Sequence, residues 1–98
     1  MVVSQQMIRS FKDRRTEEFF GGTNVRQFLG FKKVAERKLI MLDSAVRLGD
    51  LAASPGNRLE KLSGDRAGQY SIRINDQWRI CFNWKDDGPH EVEIVDYH

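Results

Sequence analysis

The chain has little of what would tie it to an oxidising compartment or a membrane. Cys81 is the only cysteine among 98 residues, which excludes an internal disulfide and a multi-cysteine metal site. No apolar run approaches the ~20 residues that a membrane-spanning helix needs. The first seven residues lack the basic start and the long apolar stretch of a secretory signal. These absences predict a soluble protein that stays in the cytoplasm.

Signatures of the common catalytic and nucleotide-binding sites are missing as well. The sequence contains no phosphate-binding loop, no dinucleotide fingerprint and no Gly-x-Ser-x-Gly nucleophile elbow. It also lacks a helix-turn-helix signature, and its His, Cys, Asp and Glu residues do not have the spacing of metal ligands. We therefore expect neither a metal ion nor a cofactor.

Length and composition fit one compact domain. The chain is 40% apolar and 31% charged, which is the balance of a globular protein rather than a disordered one. We predict a single domain over residues 1–98, in which residues 1–6 form an N-terminal extension. Ten basic and five acidic residues precede Gly49, whereas six basic and nine acidic residues follow it. A basic half can meet a nucleic-acid backbone, although a solvated helix face explains it equally well.

The N-terminal third predicts one short helix. Ser10, followed three residues later by Asp13, resembles a capping box, and Gly21-Gly22 ends the segment. A helix is therefore predicted over residues 11–20. Residues 7–9 before it are long enough only for a small edge strand.

A second, longer helix is predicted next. Thr23 or Asn24 can cap it, Gly30 can bend or interrupt it, and the region of Gly49 ends it. Apolar residues recur along it at spacings of three and four, and this stripe is expected to face a core. The stripe consists of Phe28, Phe31, Ala35, Leu39, Leu42 and Val46.

After a turn at residues 54–57 the hydrophobic period changes from helical to alternating. Tight turns at residues 75–77 and 86–89 separate the alternating segments, which predicts an antiparallel meander. The last strand should return beside the strand of Trp78. The predicted strands cover residues 70–74, 78–84 and about 90–95.

Helices followed by strands predict an α+β domain, with two N-terminal helices packed on one face of a small, mainly antiparallel sheet. The apolar side chains of the strands would meet these helices. The opposite face is expected to be partly polar and open to solvent, and it would carry Arg73, Arg79, Cys81 and Asn83.

The chain ends Asp96-Tyr97-His98, directly after a predicted strand that would hold this end in place. If the strands pair as predicted, Tyr97 and His98 come close to Arg79. His98 can act as acid or base, Arg79 matches phosphate oxygens, and Tyr97 can stack on a base or donate a proton. Asp96 can orient His98 or hold an arginine. Self-cleavage of RNA through its 2′-hydroxyl uses such groups and requires no metal.

Structural explanations of these residues remain open. Arg79 can simply pair with Asp96 across strands, and Tyr97 can cap the core. Cys81 is more simply explained as a small structural hydrophobe. Arg66 lies in a glycine-flanked loop, from which it can reach either a phosphate or a structural carboxylate.

Taken together, five segments closely resemble the HigB toxins of the RelE/ParE superfamily. They are Met7-Ile8-Arg9-Ser10-Phe11, Leu62-Ser63-Gly64-Asp65-Arg66-Ala67-Gly68, Tyr70-Ser71-Ile72-Arg73-Ile74, Trp78-Arg79-Ile80-Cys81-Phe82 and Asp96-Tyr97-His98. The resemblance implies a type II toxin: a ribosome-dependent endoribonuclease that cuts translated mRNA in the A site of the 70S ribosome without a metal. It also implies a HigA-type helix-turn-helix antitoxin, with the toxin monomeric when free and hetero-oligomeric in the complex.

The resemblance assigns roles by position. Arg79 would neutralise the scissile phosphate, and Asp96, Tyr97 and His98 would form the catalytic end. The residues that would line the path of the RNA are Arg66, Arg73, Glu60 and Lys61. The residues of the second predicted helix that would face ribosomal RNA are its basic residues Lys32, Lys33, Arg37 and Lys38.

One position departs from the family pattern. Glu60 stands where some members have a histidine, and Lys61 is displaced from the family lysine, pointing with Leu59 by strand alternation. A carboxylate brings no positive charge to a phosphate, but it can serve as a base, so a weaker toxin is expected. Two alternatives remain: a ParE-like gyrase inhibitor, against which the acid/base terminus argues, and a non-catalytic module that binds the ribosome or the antitoxin.

Overall fold

The computed structural model describes residues 7–97, so the predictions for residues 1–6 and for His98 lie outside the described residues. Helical elements come first and strands follow, which confirms the predicted α+β order. The helices are α1 (Arg14–Phe20), α2 (Lys32–Ser44) and α3 (Leu48–Ala52), with a 3₁₀ segment (Arg26–Phe31) before α2 and two short 3₁₀ turns (Pro55–Asn57 and Gly64–Arg66) later in the chain. The strands are β1 (Glu60–Lys61), β2 (Gln69–Arg73), β3 (Trp78–Lys85) and β4 (Gly88–Asp96).

The four strands form the predicted antiparallel meander, in the order β1-β2-β3-β4. Ile72 pairs with Ile80 between β2 and β3, and Trp78 pairs with Asp96 between β3 and β4. The last strand therefore returns beside the strand of Trp78, as predicted. Within residues 7–97, no helix is both long enough and apolar enough to cross a bilayer.

The N-terminal segment lies along β4, but residues 7–9 do not form the predicted edge strand. Phe11 alone makes a parallel bridge with Val92. Nearby, β4 contains one more residue than β3 between paired positions, and Glu91 has a left-handed backbone with a φ of 51°. The Glu91 N–H donates to Ser10 Oγ at 2.9 Å. Ser10 is thus used by β4 and not as the cap of a helix.

Helix α1 begins later than predicted because Asp13, not Ser10, caps it. Asp13 Oδ1 accepts a hydrogen bond from the Thr16 N–H at 3.3 Å. The helix ends at Gly21, as predicted. The hydroxyl of Thr16 is fully buried and accepts the Ile94 N–H at 3.0 Å, which ties α1 to β4.

The single long helix predicted next is divided into the 3₁₀ segment and α2, with Gly30 inside the 3₁₀ segment. Neither Thr23 nor Asn24 caps it. The 3₁₀ segment starts after Val25, and Asn24 Oδ1 instead accepts a hydrogen bond from Lys32 Nζ at 2.9 Å. Most of the predicted apolar stripe is confirmed, because four of its six members are fully buried: Phe28, Ala35, Leu39 and Leu42.

The chain leaves α2 at Ser44, and helix α3 was not predicted. Ala45 is extended, and Asp50 Oδ2 then accepts the N–H groups of Val46 and Arg47, each at 2.9 Å. These two bonds lower the pKa of Asp50 and cap the start of α3. Val46 is 53% exposed, so its predicted place in the apolar stripe was wrong.

The core lies between the helices and one face of the sheet. Phe28 makes edge-to-face contacts with Phe19 and Trp78, at ring-centroid distances of 5.3 and 5.9 Å. The apolar face of the sheet is therefore the helix-covered face, as predicted. Its fully buried members are Ile72, Ile80, Phe82, Val92 and Ile94.

Replacing Thr16 by valine should destabilise the protein by about 1–3 kcal/mol, because the buried Ile94 N–H would lose its acceptor while the shape of the side chain is kept. Thr23→Val, at an exposed position, is the matched control and should change stability by less than about 0.5 kcal/mol. Urea unfolding measures both. Equal midpoints for Thr16→Val and the unsubstituted protein would contradict this account of the contact between α1 and β4.

Candidate functional site

An open cavity of about 470 Å³ lies at the ends of β2 and β4, and Arg79 borders it. Arg79 alternates along β3 with the core residue Ile80, so its side chain is on the face of the sheet opposite the helices. The polar lining of the cavity combines three arginines, two carboxylates, an asparagine and a tyrosine: Arg58, Arg73, Arg79, Glu60, Asp76, Asn75 and Tyr97.

The guanidinium of Arg79 is held in one orientation. Its Nε donates to Ser71 Oγ at 2.7 Å, and its Nη2 donates to the Arg58 carbonyl at 2.7 Å. Glu60 Oε1 lies 3.5 Å from the same Nη2. Only 11% of the Arg79 side chain is exposed. Within residues 7–97 these contacts engage Nε and Nη2, which leaves Nη1 as a further donor.

Arg58 is a site residue that the sequence reasoning missed. It has a left-handed backbone, with φ 45° and ψ 56°, directly after the 3₁₀ turn Pro55–Asn57. For a residue with a side chain this conformation costs roughly 1–2 kcal/mol. It directs the carbonyl to Arg79, while the side chain lines the cavity. The Pro-Gly-Asn turn chemistry marked a turn here, but not the residue after it.

Tyr97 lies beside Arg79, as predicted. The centroid of its ring is 5.9 Å from Arg79 Cζ, which is within cation–π distance. The Tyr97 N–H donates to the Gln77 carbonyl at 2.6 Å, and the Gln77 side chain donates to Asp96 Oδ2 at 2.9 Å. Gln77 therefore holds the end of β4 through both Tyr97 and Asp96. His98, the next residue, lies outside the described residues.

Of the two β1 residues expected to meet RNA, only Glu60 reaches the cavity. Glu60 pairs with Ser71, whose side chain is on the Arg79 side of the sheet. Lys61 pairs with Tyr70, whose ring stacks on the core residue Phe82. Lys61 thus shares the sheet face of the helices and is not brought to the site.

The two predicted RNA-binding arginines are placed differently. Arg73 lines the cavity and is bonded to the exposed carboxylate of Asp76. Arg66 lies outside the cavity, where its Nη1 donates to Gln69 Oε1 at 3.0 Å and to Glu93 Oε1 at 3.3 Å. Arg66 therefore holds a structural carboxylate, the second of its two expected partners.

The basic helix supplies surface cations, with one exception. Lys33 and Arg37 are exposed, and Lys32 is half-buried. Lys38 is only 5% exposed, and its ammonium donates to two backbone carbonyls. Burial, followed by the nearby positive charges of Arg37, Arg73 and Arg79, lowers the pKa of Lys38. A surface role for Lys38 against the ribosome was therefore a wrong expectation.

The site face of the sheet is less open than predicted. Ser71 and Cys81 are fully buried, and Arg79 is 9% exposed. The ion pair between Arg66 and Glu93 lies beside them and closes this part of the face. Burial raises the pKa of the Cys81 thiol to about 11. Cys81 is thus the small structural residue that its sequence position indicated.

The sequence matches a known family over almost its whole length. The family described as the RelE-like toxin of the type II toxin-antitoxin system HigB matches residues 9–98. The chain belongs to the HigB-like toxin family. The α+β fold agrees with RelE-like toxins, and membership of a type II toxin-antitoxin family implies an antitoxin partner.

Two relatives illustrate the family. Toxin HigB-1 of Vibrio cholerae serotype O1 is 38% identical over 82 residues, which cover 82% of this chain and 86% of the relative. Endoribonuclease HigB of Proteus vulgaris is 31% identical over 94 residues, which cover 94% of this chain and all of the relative.

Within residues 7–97, no group of three or more His, Cys, Asp and Glu side chains could hold a metal ion.

The thiol of Cys81 should resist alkylation in the folded protein. With its pKa raised from 9.0 to about 11, the thiolate fraction at pH 8 falls about 100-fold, and burial removes access as well. Incubation with iodoacetamide at pH 8, read by mass spectrometry, should leave the folded chain unlabelled. In about 6 M guanidinium, which unfolds the chain, the thiol should be labelled fully. Rapid labelling of the folded protein would show that this sheet face opens.

Proposed function

We propose that this HigB-like toxin is a ribosome-dependent endoribonuclease that cleaves translated mRNA in the A site. The observation that carries the proposal is the fixed guanidinium of Arg79, which borders a cavity that also contains Glu60 and Tyr97. The name of the Proteus vulgaris relative, Endoribonuclease HigB, supports the same activity. A cytoplasmic location follows from this target.

Arg79 is suited to the phosphate at which cleavage occurs. Attack of the 2′-oxygen on phosphorus places additional negative charge on the non-bridging oxygens of the transition state. A guanidinium held by Ser71 and by the Arg58 carbonyl meets this charge without reorganising. Arg58 and Arg73, which line the same cavity, would hold the neighbouring phosphates of the mRNA.

Proton transfer would be divided between Glu60 and His98. A base that acts on the 2′-hydroxyl must lie next to the cation that binds the scissile phosphate, and Glu60 Oε1 is 3.5 Å from Arg79 Nη2. Glu60 would accept the 2′-hydroxyl proton while the 2′-oxygen bonds to phosphorus. The bond from phosphorus to the 5′-oxygen then breaks, and His98 protonates the departing oxygen. The products are a 2′,3′-cyclic phosphate and a free 5′-hydroxyl, and this route needs no metal ion.

The remaining parts of the proposal concern partners. Tyr97 is 39% exposed and can stack on a base of the mRNA beside the cavity. Lys33 and Arg37 present positive charge on the exposed side of α2, where ribosomal RNA would lie. The antitoxin would be a HigA-type helix-turn-helix protein that forms a hetero-oligomer with a toxin that is monomeric when free.

The first test is single-turnover cleavage of mRNA on programmed 70S ribosomes, with mapping of the RNA ends. Arg79→Ala should lower the rate by about 10²–10³-fold, because it removes the charge that meets the phosphate. His98→Gln should remove one titrating limb of the pH profile. Arg14→Ala is the matched control: its side chain is 87% exposed on α1, in the helical layer, and its rate should be unchanged. Unaltered cutting by both site variants would refute the assignment.

The second test separates two roles of Glu60. If Glu60 is the base, Glu60→Gln should lower the cleavage rate by about 10²–10⁴-fold without weakening ribosome binding. If Glu60 merely competes with phosphate for Arg79, the same substitution should raise the rate. Asp76→Asn removes the other carboxylate of the cavity, the partner of Arg73, and should retain most of the activity. A faster Glu60→Gln variant would overturn the proposed base.

A further inference from the structure

We propose that Lys38 is a positioning residue of the site, in which its buried ammonium joins the turn before Arg58 to the end of β2. The proposal begins with two hydrogen bonds. Lys38 Nζ donates to the Gly56 carbonyl at 3.1 Å and to the Arg73 carbonyl at 2.5 Å. Both acceptors are main-chain atoms of segments that border the cavity, whereas Lys38 itself belongs to helix α2.

These bonds act on Arg79 through the chain. Gly56 lies in the 3₁₀ turn that ends at Asn57, and the carbonyl oxygen of the next residue, Arg58, accepts a hydrogen bond from Arg79 Nη2. The left-handed backbone of Arg58 holds that carbonyl in place only if the preceding turn is fixed. Lys38 supplies a point of attachment for this turn on helix α2.

The other carbonyl belongs to the last residue of β2, Arg73, whose side chain lines the cavity. Because one ammonium bonds to both Gly56 and Arg73, it joins the turn before Arg58 to the end of β2. Movement of the turn away from β2 would break one of the two bonds. Lys38 thus sets the distance between the segments that carry Arg58 and Arg73.

The electrostatic surroundings make the buried ammonium of Lys38 costly in free energy, which indicates that it has a role. The ammonium is buried, and the nearby charges of Arg37, Arg73 and Arg79 are all positive. Burial of a charge costs free energy that hydrogen bonds only partly offset. An apolar residue would complete the helix stripe more simply, since Lys38 lies between Ala35 and Leu42 at spacings of three and four.

The decisive readout is the Arg79 side chain itself, observed by NMR in the full chain. In Lys38→Met the Nε–H of Arg79 should exchange with water roughly tenfold faster, because the Arg58 carbonyl would no longer hold the guanidinium beside Ser71. Its signal is assigned by its loss in Arg79→Lys. Leu42→Ala, a core substitution on the same helix, is the control for lost stability and should leave this exchange unchanged.

Activity provides a second readout, which rests on the proposed function. At a temperature at which both variants are folded, Lys38→Met should cleave mRNA on ribosomes at least roughly tenfold more slowly than Leu42→Ala, with equal ribosome binding. Lys38→Gln, which keeps a shorter donor without the charge, replaces Lys38→Met if that chain does not fold.

The two readouts fail separately. If neither the unsubstituted protein nor its variants cleave RNA, the proposed function fails. The exchange of the Arg79 Nε–H then still decides the role of Lys38. Exchange in Lys38→Met equal to that in Leu42→Ala would overturn the proposal, whatever the activity. Faster exchange in the lysine variant alone would support it.

Discussion

The burial of the Arg79 guanidinium on the sheet is the constraint on which the site depends. A cation that is almost withdrawn from water must be hydrogen-bonded, because an unpaired buried charge costs several kcal/mol, on the order of the stability of a small domain. Ser71 on β2 and the Arg58 carbonyl supply the bonds, at 2.7 Å each. Two segments besides β3 must therefore be in place before the Arg79 guanidinium can be. A cavity with a fixed cation is the result.

The two faces of the sheet divide the work between stability and chemistry. Alternation along β3 places Ile80 and Phe82 against the helices and Arg79 on the other side. The helix face contains the aromatic core, so the opposite face is free to contain polar groups that a core of this size could not hold. Lys38 crosses this division, because it starts on α2 and ends at the Arg73 carbonyl.

Strand alternation was the signal from which most of the fold and part of the site could be predicted. This signal is local, since a hairpin with a short turn places neighbouring segments side by side. From it the proximity of Tyr97 to Arg79 was predicted correctly. Other features depend on distant partners. Arg58 is left-handed because its carbonyl meets Arg79, and the five-residue helix α3 exists because Asp50 caps it. Neither leaves a periodic pattern.

Lys38 was misplaced for a different reason: its charge was given more weight than its spacing. Positions 35, 38, 39 and 42 form a single buried arc of α2, and the only polar member of this arc was assigned to the surface. A long side chain can be buried along its stem when its charged end reaches acceptors, and the carbonyls of Gly56 and Arg73 are such acceptors. A charged residue within an apolar stripe therefore indicates a buried polar contact to be identified.

The contacts of the cavity arginines differ in how far they are exposed to an incoming phosphate. Ser71 is fully buried, whereas the Glu60 side chain is 56% exposed and that of Asp76, the partner of Arg73, is fully exposed. Exposed ion pairs contribute little, about 0–1 kcal/mol, so an RNA phosphate can enter beside these carboxylates at small cost. The bonds to Ser71 and to the Arg58 carbonyl remain in place meanwhile. Arg79 can thus bind a phosphate without changing its orientation, which is the condition for stabilising a transition state without reorganisation.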